Sequence, residues 1–426
     1  MSGVLDGIKV IDCSQVAAMP MAARHLADFG ADVIHVENPA AGDSWRFYQA
    51  GQGPGNNGVT SDFNYNFENF NRNKRSMTLN LASEEGQKIM HNMVKQADIF
   101  LTNMRPFEIE NFKIGYEVLR KINPRIIYAS VTGYGKKGPD RDVPAYDITA
   151  YWTRSGFSYM LSQRGLPAPG FRAAMGDNVA ALALAYGVMM AMYQREKTGI
   201  GQEIDVSLLH MGLYQISFDV AGFLITGHDY KEEREQAPQE LVDGVLDAML
   251  PVMAFYRKDM LNPLAAGYLS KDGMRILLMM LTPDRYWPKF CRTLGVPELI
   301  DNPKFNTFDA RAQNRDELMA IFDKIFRTKT WDEWKPILAD IPHAPATTLR
   351  EAITDPQAEA NNFFCEYEHP TRGKIKMLAN PINMSKNPAT YRLAAPEFGQ
   401  HTEEVLLEYG YTWDDIIRFK ENKIIA

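Results

Sequence analysis

The chain of 426 residues reads as an α/β protein built on a mostly parallel sheet. In the first third, short β-rich runs alternate with stretches of helical spacing, and each such stretch is long enough to cross back over a sheet. Ile8–Ile11 is the first strand, Ser14–Pro20 a connection, and Met21–Phe29 a helix stopped at Gly30. Val33–Glu37 follows as a second strand. Glu84–Gln96 is an amphipathic helix, and Asp98–Leu101 enters a strand that ends at Asn103. Tyr116–Ile122 is a helix, and Arg125–Val131 is a strand closing on Gly133-Tyr134-Gly135. Val179–Tyr193, fifteen apolar residues, is short for a membrane span and suits a buried helix. Gln202–Ser207 is strand-like, and helical spacing then runs through Phe223.

The polar stretch Lys231–Gln239 reads as a loop or linker. It suggests a large domain over residues 1–230 and a smaller one over 231–330, with a strand near Arg275–Leu281. A return over 331–426 begins at Trp331 and ends in a helix at Glu403–Tyr409. There is no internal repeat and no low-complexity segment.

Composition narrows the function. Lys and Arg number 46 against 53 Asp and Glu, a net charge of −7, which argues against a general binder of nucleic acid or anionic membrane. An anionic ligand would need a local basic cluster. Three scattered cysteines (Cys13, Cys291, Cys365) suit neither a disulfide framework nor a zinc site, and the eight histidines show no metal-binding spacing. The start, MSGVLDGIKVIDCS, lacks the pattern of a signal peptide, so cytoplasmic residence is expected. A nicotinamide or flavin reading fails at the first turn. Ser14–Pro20 contains no glycine to admit a pyrophosphate, and Glu37 at the second strand's end is common in unrelated folds. No GxSxG elbow or Walker A loop occurs.

Two places could carry chemistry. Gly176-Asp177-Asn178 leads straight into the apolar helix. Asp177 is either an N-cap for that helix or a carboxylate kept ionised by the helix dipole and available as a nucleophile; spacing leaves both open. The backbone amides of Gly176 and Asn178 are candidate oxyanion donors. Positive charge gathers in Asn71–Ser76, with Arg105 and Lys113 after the next strand and Lys136-Lys137 after the one beyond. Basic groups at successive strand ends of one parallel sheet would suit a polyanion, since ligands bind outside the carboxyl ends of such strands.

Ten segments then occur in a telling order: LDGIKVIDCSQVAAMP, ADFGADVIHVENP, GDSWR, NKRSMTLNL, ADIFLTNMRP, NPRIIYASVTGYGKKGP, PAYDITAYWTRSG, Gly176-Asp177, KTGIGQEIDVSLL and GQHTEEVLLEYGY. Together, over about residues 4–412, they resemble the class III CoA-transferases, the family of formyl-CoA transferase and carnitine CoA-transferase. The stretch around Tyr146 most resembles the clostridial branch acting on phenyllactate and 2-hydroxyisocaproate.

The resemblance implies a Rossmann-like large domain, a smaller α+β domain and an interlocked homodimer. It implies transfer of CoA from an acyl-CoA to a free acid through a covalent aspartyl intermediate on Asp177, with no metal, nicotinamide or flavin. It places CoA contacts at Asn38, Arg72, Lys74, Arg75, Asn103, Met104, Lys113 and Ile114. The substrate side falls at Gln15, Ala17, Ala18, Tyr146, Asp147 and Gly176. The chain departs from the formyl-CoA enzyme at Ala17 (glutamine there) and Asn38 (a basic residue there), and the glycine-rich loop of the second domain is not found. These departures favour a larger, less polar acid than oxalate. The aromatics Tyr48, Phe63, Tyr65, Tyr146, Tyr151, Trp152, Phe157 and Tyr159 are candidates for its pocket. The related α-methylacyl-CoA racemases carry a histidine where Tyr146 stands; a tyrosine is a poor base near neutrality, which favours transfer. A catalytic subunit of a two-chain arylsuccinate CoA-transferase is the third reading.

Overall fold

The computed structural model describes residues 3–47, 61–161, 172–228 and 261–426. The expected loop at Lys231–Gln239 and Tyr48 lie outside these residues. The described residues fall into two compact units. One holds those up to His228 together with Asn361–Ala426, and the other those from Leu261 to Ala360.

Six strands form the sheet of the first unit: β1 (Lys9–Cys13), β2 (Asp32–Glu37), β3 (Arg75–Thr78), β4 (Ile99–Thr102), β5 (Ile127–Thr132) and β6 (Glu203–Ser207). All pairings are parallel, and the spatial order is β3-β2-β1-β4-β5-β6. This is the Rossmann order, in which the chain reverses direction across the sheet between β1 and β4. Side chains alternate between faces with period two, and both faces are apolar. Val10, Val33, Ile99 and Ile127 pack on one side with the first helix, Ala18–Asp28, and the long helix, Met175–Thr198. Ile11, Ile34, Phe100 and Tyr128 pack on the other, against Ile89, Met93 and Leu119 and against the C-terminal residues Val405, Leu406, Ile416 and Phe419.

The tail therefore supplies part of one face, through helices Thr402–Glu408 and Trp413–Glu421; the sequence reading saw only the first of these. An antiparallel hairpin, β10 (Phe364–His369) and β11 (Gly373–Leu378), precedes them and was not foreseen.

The apolar run is the centre of a longer, 24-residue helix that is buried on one side only. Ala180, Ala181, Leu184, Val188 and Ala191 are buried, while Tyr186, Met190 and Tyr193 stay exposed. Among the described residues it is the one single helix long and apolar enough to cross a membrane. Its inner face, however, packs on the first helix, and Arg195 near its end is buried beside Asp98 at 3.0 Å.

The second unit is α+β. Strands β7 (Gly267–Leu269), β8 (Arg275–Leu278) and β9 (His343–Pro345) form an antiparallel sheet. Tyr268, Trp287, Phe290, Phe322, Phe326 and Trp334 fill its core. The boundary expected at residue 331 moves to 361. Helix Trp331–Ile337 belongs to this unit because Trp334 is buried in its core and its indole N–H donates to the Phe326 carbonyl at 2.8 Å.

The basic cluster before β3 needs the main correction. Arg72, Lys74 and Arg75 stand at the amino end of that strand, away from the carboxyl edge where ligands gather. Arg72 is buried and ion-paired with Asp28 at 3.0 Å, and its guanidinium lies over the Tyr391 ring. Lys74 is buried against Asp12 at 2.8 Å. Arg75 is held by Asp32, Glu404 and Glu408. The sequence shows the charges but not the acids that meet them from distant segments. Within this chain these three serve the fold, and Arg72 and Lys74 have no surface to offer a phosphate.

Arg72→Met leaves Asp28 buried without its principal partner. The loss expected is about 3–5 kcal/mol, read as a lower midpoint in urea denaturation with unchanged slope.

Candidate active site

The reversal between β1 and β4 opens a crevice at the carboxyl edge of the sheet. A cleft of about 470 Å³ lies there. Its walls come from the loop after β1 (Gln15, Val16, Ala17, Ala18), the segment after β4 (Asn103, Met104, Arg105), the end of β5 (Val131, Thr132, Gly133), the segment Val143–Asp147, and Asp177. Residues separated by 160 positions in sequence meet because each follows a strand or opens a helix at this one edge.

Asp177 is not the helix cap. The long helix starts at Met175, after Ala174 in a left-handed backbone conformation (φ 63°), and Asp177 is the third residue of its first turn. The cap comes from another segment: the Gly176 amide donates to Asp147 Oδ1 at 3.1 Å. Gly176 must be glycine for this approach. A Cβ there would lie 2.5 Å from Asp147 Oδ1 and 2.2 Å from Tyr151 Cγ. Asp147 stands at the start of a π-helical turn, Ile148–Arg154, a geometry often found beside functional sites. With the orphan amide served by Asp147, Asp177 is left to face the cleft.

The second of the two sequence alternatives, a carboxylate kept ionised by the dipole, also needs revision, because burial works against the dipole. Burial, and then the facing Asp147 carboxylate, push it up from 3.8 to about 8. Burial also raises Asp147, to about 6, against the pull of the amides of Gly176, Met175 and Ala174. The two form a coupled acid pair. The expected oxyanion donors are also spoken for: the Gly176 amide serves Asp147, and the Asn178 amide bonds the Ala174 carbonyl at 2.9 Å. The sequence reading missed the amides of Ala17 and Ala18, at the cleft-lining start of the first helix, where no side chain caps the turn and no acid occupies it.

The remaining expected positions divide. Gln15, Ala17, Ala18, Asn103, Met104, Tyr146, Asp147 and Asp177 all line the cleft, and Gly176 is bonded to one of them. Asn103 grips Gln15 twice, accepting from its amide at 3.1 Å and donating to its carbonyl at 2.6 Å. Asn38, just past the end of β2, and Lys113, at the end of the helix Pro106–Phe112, are exposed and outside the cleft wall; Asn38 accepts from the Ala40 amide at 2.8 Å. Ile114 buries its side chain in the core, so only its backbone could touch a ligand. Of the aromatics, Tyr146 lines the cleft, whereas Tyr151, Trp152 and Phe157 are core. Two cations line the wall: Arg105, one of the strand-end charges expected from the sequence, and Arg141, which the sequence reading did not single out. Each is partly exposed and paired, with Glu108 and with Glu110 and Asp142. Glu37 is buried against Arg46 and is not a ribose ligand. No group of three potential metal ligands occurs among the described residues.

A family model described as CoA-transferase family III matches residues 5–402. The chain belongs to CoA-transferase family III. It is 33% identical to the cinnamoyl-CoA:phenyllactate CoA-transferase of Clostridium sporogenes, over 100% of this chain and 98% of that one. It is 32% identical to the (R)-2-hydroxy-4-methylpentanoate CoA-transferase of Clostridioides difficile, over 99% of each. Among solved structures, a CAIB/BAIF family protein from Brucella suis superposes with a TM-score of 0.74 at 25% identity, covering 96% of this chain and 100% of that one. The family is one of enzymes acting on CoA thioesters and carboxylic acids.

The raised value of Asp177 has a thermodynamic consequence with a definite sign. The folded chain holds this proton more tightly than the unfolded one, so the associated stability is complete below about 4 and is lost as pH rises towards about 8. Asp177→Asn is expected to remove this loss, so its Tm falls less between pH 5 and pH 8 than that of the wild type. Asp147→Asn keeps an oxygen for the Gly176 amide but removes the facing charge, and is expected to shift the remaining decline to lower pH.

Proposed function

We propose that this chain transfers CoA from an acyl-CoA donor to a free hydrophobic or aromatic carboxylic acid, such as a 2-hydroxy acid, through an aspartyl-CoA thioester on Asp177. The observation that carries this is the division of labour at the long helix: Asp147 caps it, and Asp177, released from capping, lines a cleft.

Each step follows from that arrangement. Ionised Asp177 attacks the donor thioester carbonyl, forming a mixed anhydride and releasing CoA thiolate. The thiolate attacks the aspartyl carbonyl, giving the β-aspartyl-CoA thioester and the free donor acid. The acceptor carboxylate attacks that thioester, a second mixed anhydride forms, and returning thiolate attacks its acceptor carbonyl to release the new acyl-CoA and regenerate Asp177. Proton count is conserved across the cycle, since carboxylate enters and carboxylate leaves. Each tetrahedral intermediate needs N–H donors, and removing one such donor typically costs about 10²–10³ in rate. Asn103, Met104 and Asn38, with Lys113 and the Ile114 backbone, are the candidate CoA contacts; Arg105 and Arg141 are the wall's available cations. The cleft's small residues (Ala17, Ala18, Gly133, Ala145) and Tyr146 suit a bulky, weakly polar acid. The acids in the names of the two clostridial relatives are of that kind.

A homodimer is part of the proposal. Exposed apolar residues on the uncovered face of the long helix (Tyr186, Met190, Tyr193), and others on the helix Ser217–Thr226 (Phe218, Leu224, Ile225), are of the kind a second copy would cover.

The test is a panel with acetyl-CoA, succinyl-CoA and cinnamoyl-CoA as donors and phenyllactate, 2-hydroxy-4-methylpentanoate, cinnamate and oxalate as acceptors, read by mass spectrometry of new thioesters. The expected result is exchange onto the apolar acids, little onto oxalate, and none with Asp177→Asn. Preferred exchange onto oxalate would overturn the substrate assignment. Solvent deuterium entering the α-carbon of a 2-methylacyl-CoA without acyl exchange would instead mark a racemase.

A further inference from the structure

The loop Gln15–Ala18 is held from beneath by a buried chain of charges that the transfer mechanism does not use. Val16 adopts a left-handed backbone conformation (φ 74°), which a β-branched residue does not hold unaided. Its amide donates to both oxygens of Asp43, at 3.1 and 3.3 Å. Asp43 is 1% exposed and is itself fixed by the Trp45 amide at 2.9 Å, while its own amide donates to Glu37 at 3.0 Å. Behind it, His35 Nε2 stands 3.5 Å from Asp43, and His35 Nδ1 stands 3.0 Å from Asp12. Asp12 also receives Lys74 at 2.8 Å and the Ser14 hydroxyl. Asp12, His35, Asp43 and Lys74 are all sealed from solvent.

We infer that Asp43 is a positioning residue for catalysis: it locks Val16 in its left-handed turn and so places Ala17 and Ala18 opposite Asp177, with His35 as the buried counter-ion that fixes Asp43. This deepens the transfer reading and rests on it, since the loop matters only if chemistry occurs at Asp177. The charge order supports it. Burial alone would neutralise His35, but Asp12, Asp43 and Glu37 together outweigh burial and raise it to about 9, so a cation lies between two acids at neutral pH. Lys74 balances the second acid; burial would raise Asp12, yet Lys74 and His35 hold it well below the ordinary carboxylate range. Without that pairing, two buried carboxylates would face each other through a neutral ring. The grip reaches the loop at two points, Ser14 and Val16, on either side of Gln15, which Asn103 already clamps.

The experiment compares Asp43→Ala, Val16→Gly and the double variant with the fastest donor–acid pair of the panel above. Asp43→Ala is expected to lower kcat about 10²-fold, the scale of a small misplacement at a reacting centre, with little change in KM for acyl-CoA and a folded protein by Tm. Glycine holds the left-handed turn without help, so adding Val16→Gly to Asp43→Ala should return about tenfold of the rate lost, with the Val16→Gly single variant as the reference for any cost of its own. Asp43→Asn keeps an oxygen for the Val16 amide and should recover most of the rate. If Asp43→Ala does not fold, His35→Gln is the alternative: a folded variant with reduced kcat restored by Val16→Gly supports the inference. Wild-type kcat in Asp43→Ala or in His35→Gln, or a double variant no faster than Asp43→Ala, overturns it. An enzyme that needs Asp177 but not Asp43 defeats this inference alone, whereas turnover by Asp177→Asn removes the transfer mechanism beneath it.

Discussion

A single hydrogen bond, from the Gly176 amide to the Asp147 carboxylate, decides what Asp177 is. A helix start demands acceptors for its first amides, and the nearest acid usually supplies one. Here the acceptor comes from the segment before the π-helical turn, 29 positions earlier in the chain, and glycine is required for it to come close enough. The acid inside the first turn is thereby left pointing at open space. The same closeness places two carboxyls in one poorly solvated corner, which raises both. That is unfavourable for folding, and under the proposed mechanism Asp177 must give up its proton before it attacks.

The sheet explains why these groups meet. Strand order reverses between β1 and β4, and every wall of the cleft hangs from the carboxyl edge on that account. The opposite edge carries a different load. Arg72 ties the first helix, Arg75 the C-terminal return and Lys74 strand β1 to the start of β3 through buried or half-buried ion pairs. Charge in this molecule thus does two things: buried pairs hold the fold and the cleft loop, and partly exposed pairs at Arg105 and Arg141 line the cleft wall.

Much of the architecture was legible because it rests on local pattern. Period-two apolar runs marked β1, β2, β4 and β5 to within two residues, and turn residues such as Gly30 and Gly133 punctuated them. Strand β3 was not seen, because Arg75–Thr78 is short and half polar, and its burial comes from Thr402 and the tail. The unit boundary was misplaced because Trp334 looks like any helix residue until its core partners are known. At the site, spacing pointed to Asp177 but left cap and nucleophile open, and Asp147 entered only through the family resemblance. Capping by a distant acid is a tertiary fact, and so is the burial that defeats the helix dipole. The basic cluster misled for the same reason: its acidic partners lie up to several hundred residues away.

The decisive measurement is hydroxylamine trapping during turnover, followed by peptide mapping. Hydroxylamine displaces CoA from an aspartyl thioester and leaves a hydroxamate on the residue that carried it. The hydroxamate is expected on Asp177, formed only when acyl-CoA is present and absent from Asp177→Asn. A hydroxamate on Asp147 or any other acid, or steady CoA transfer with no modified residue, would contradict the account.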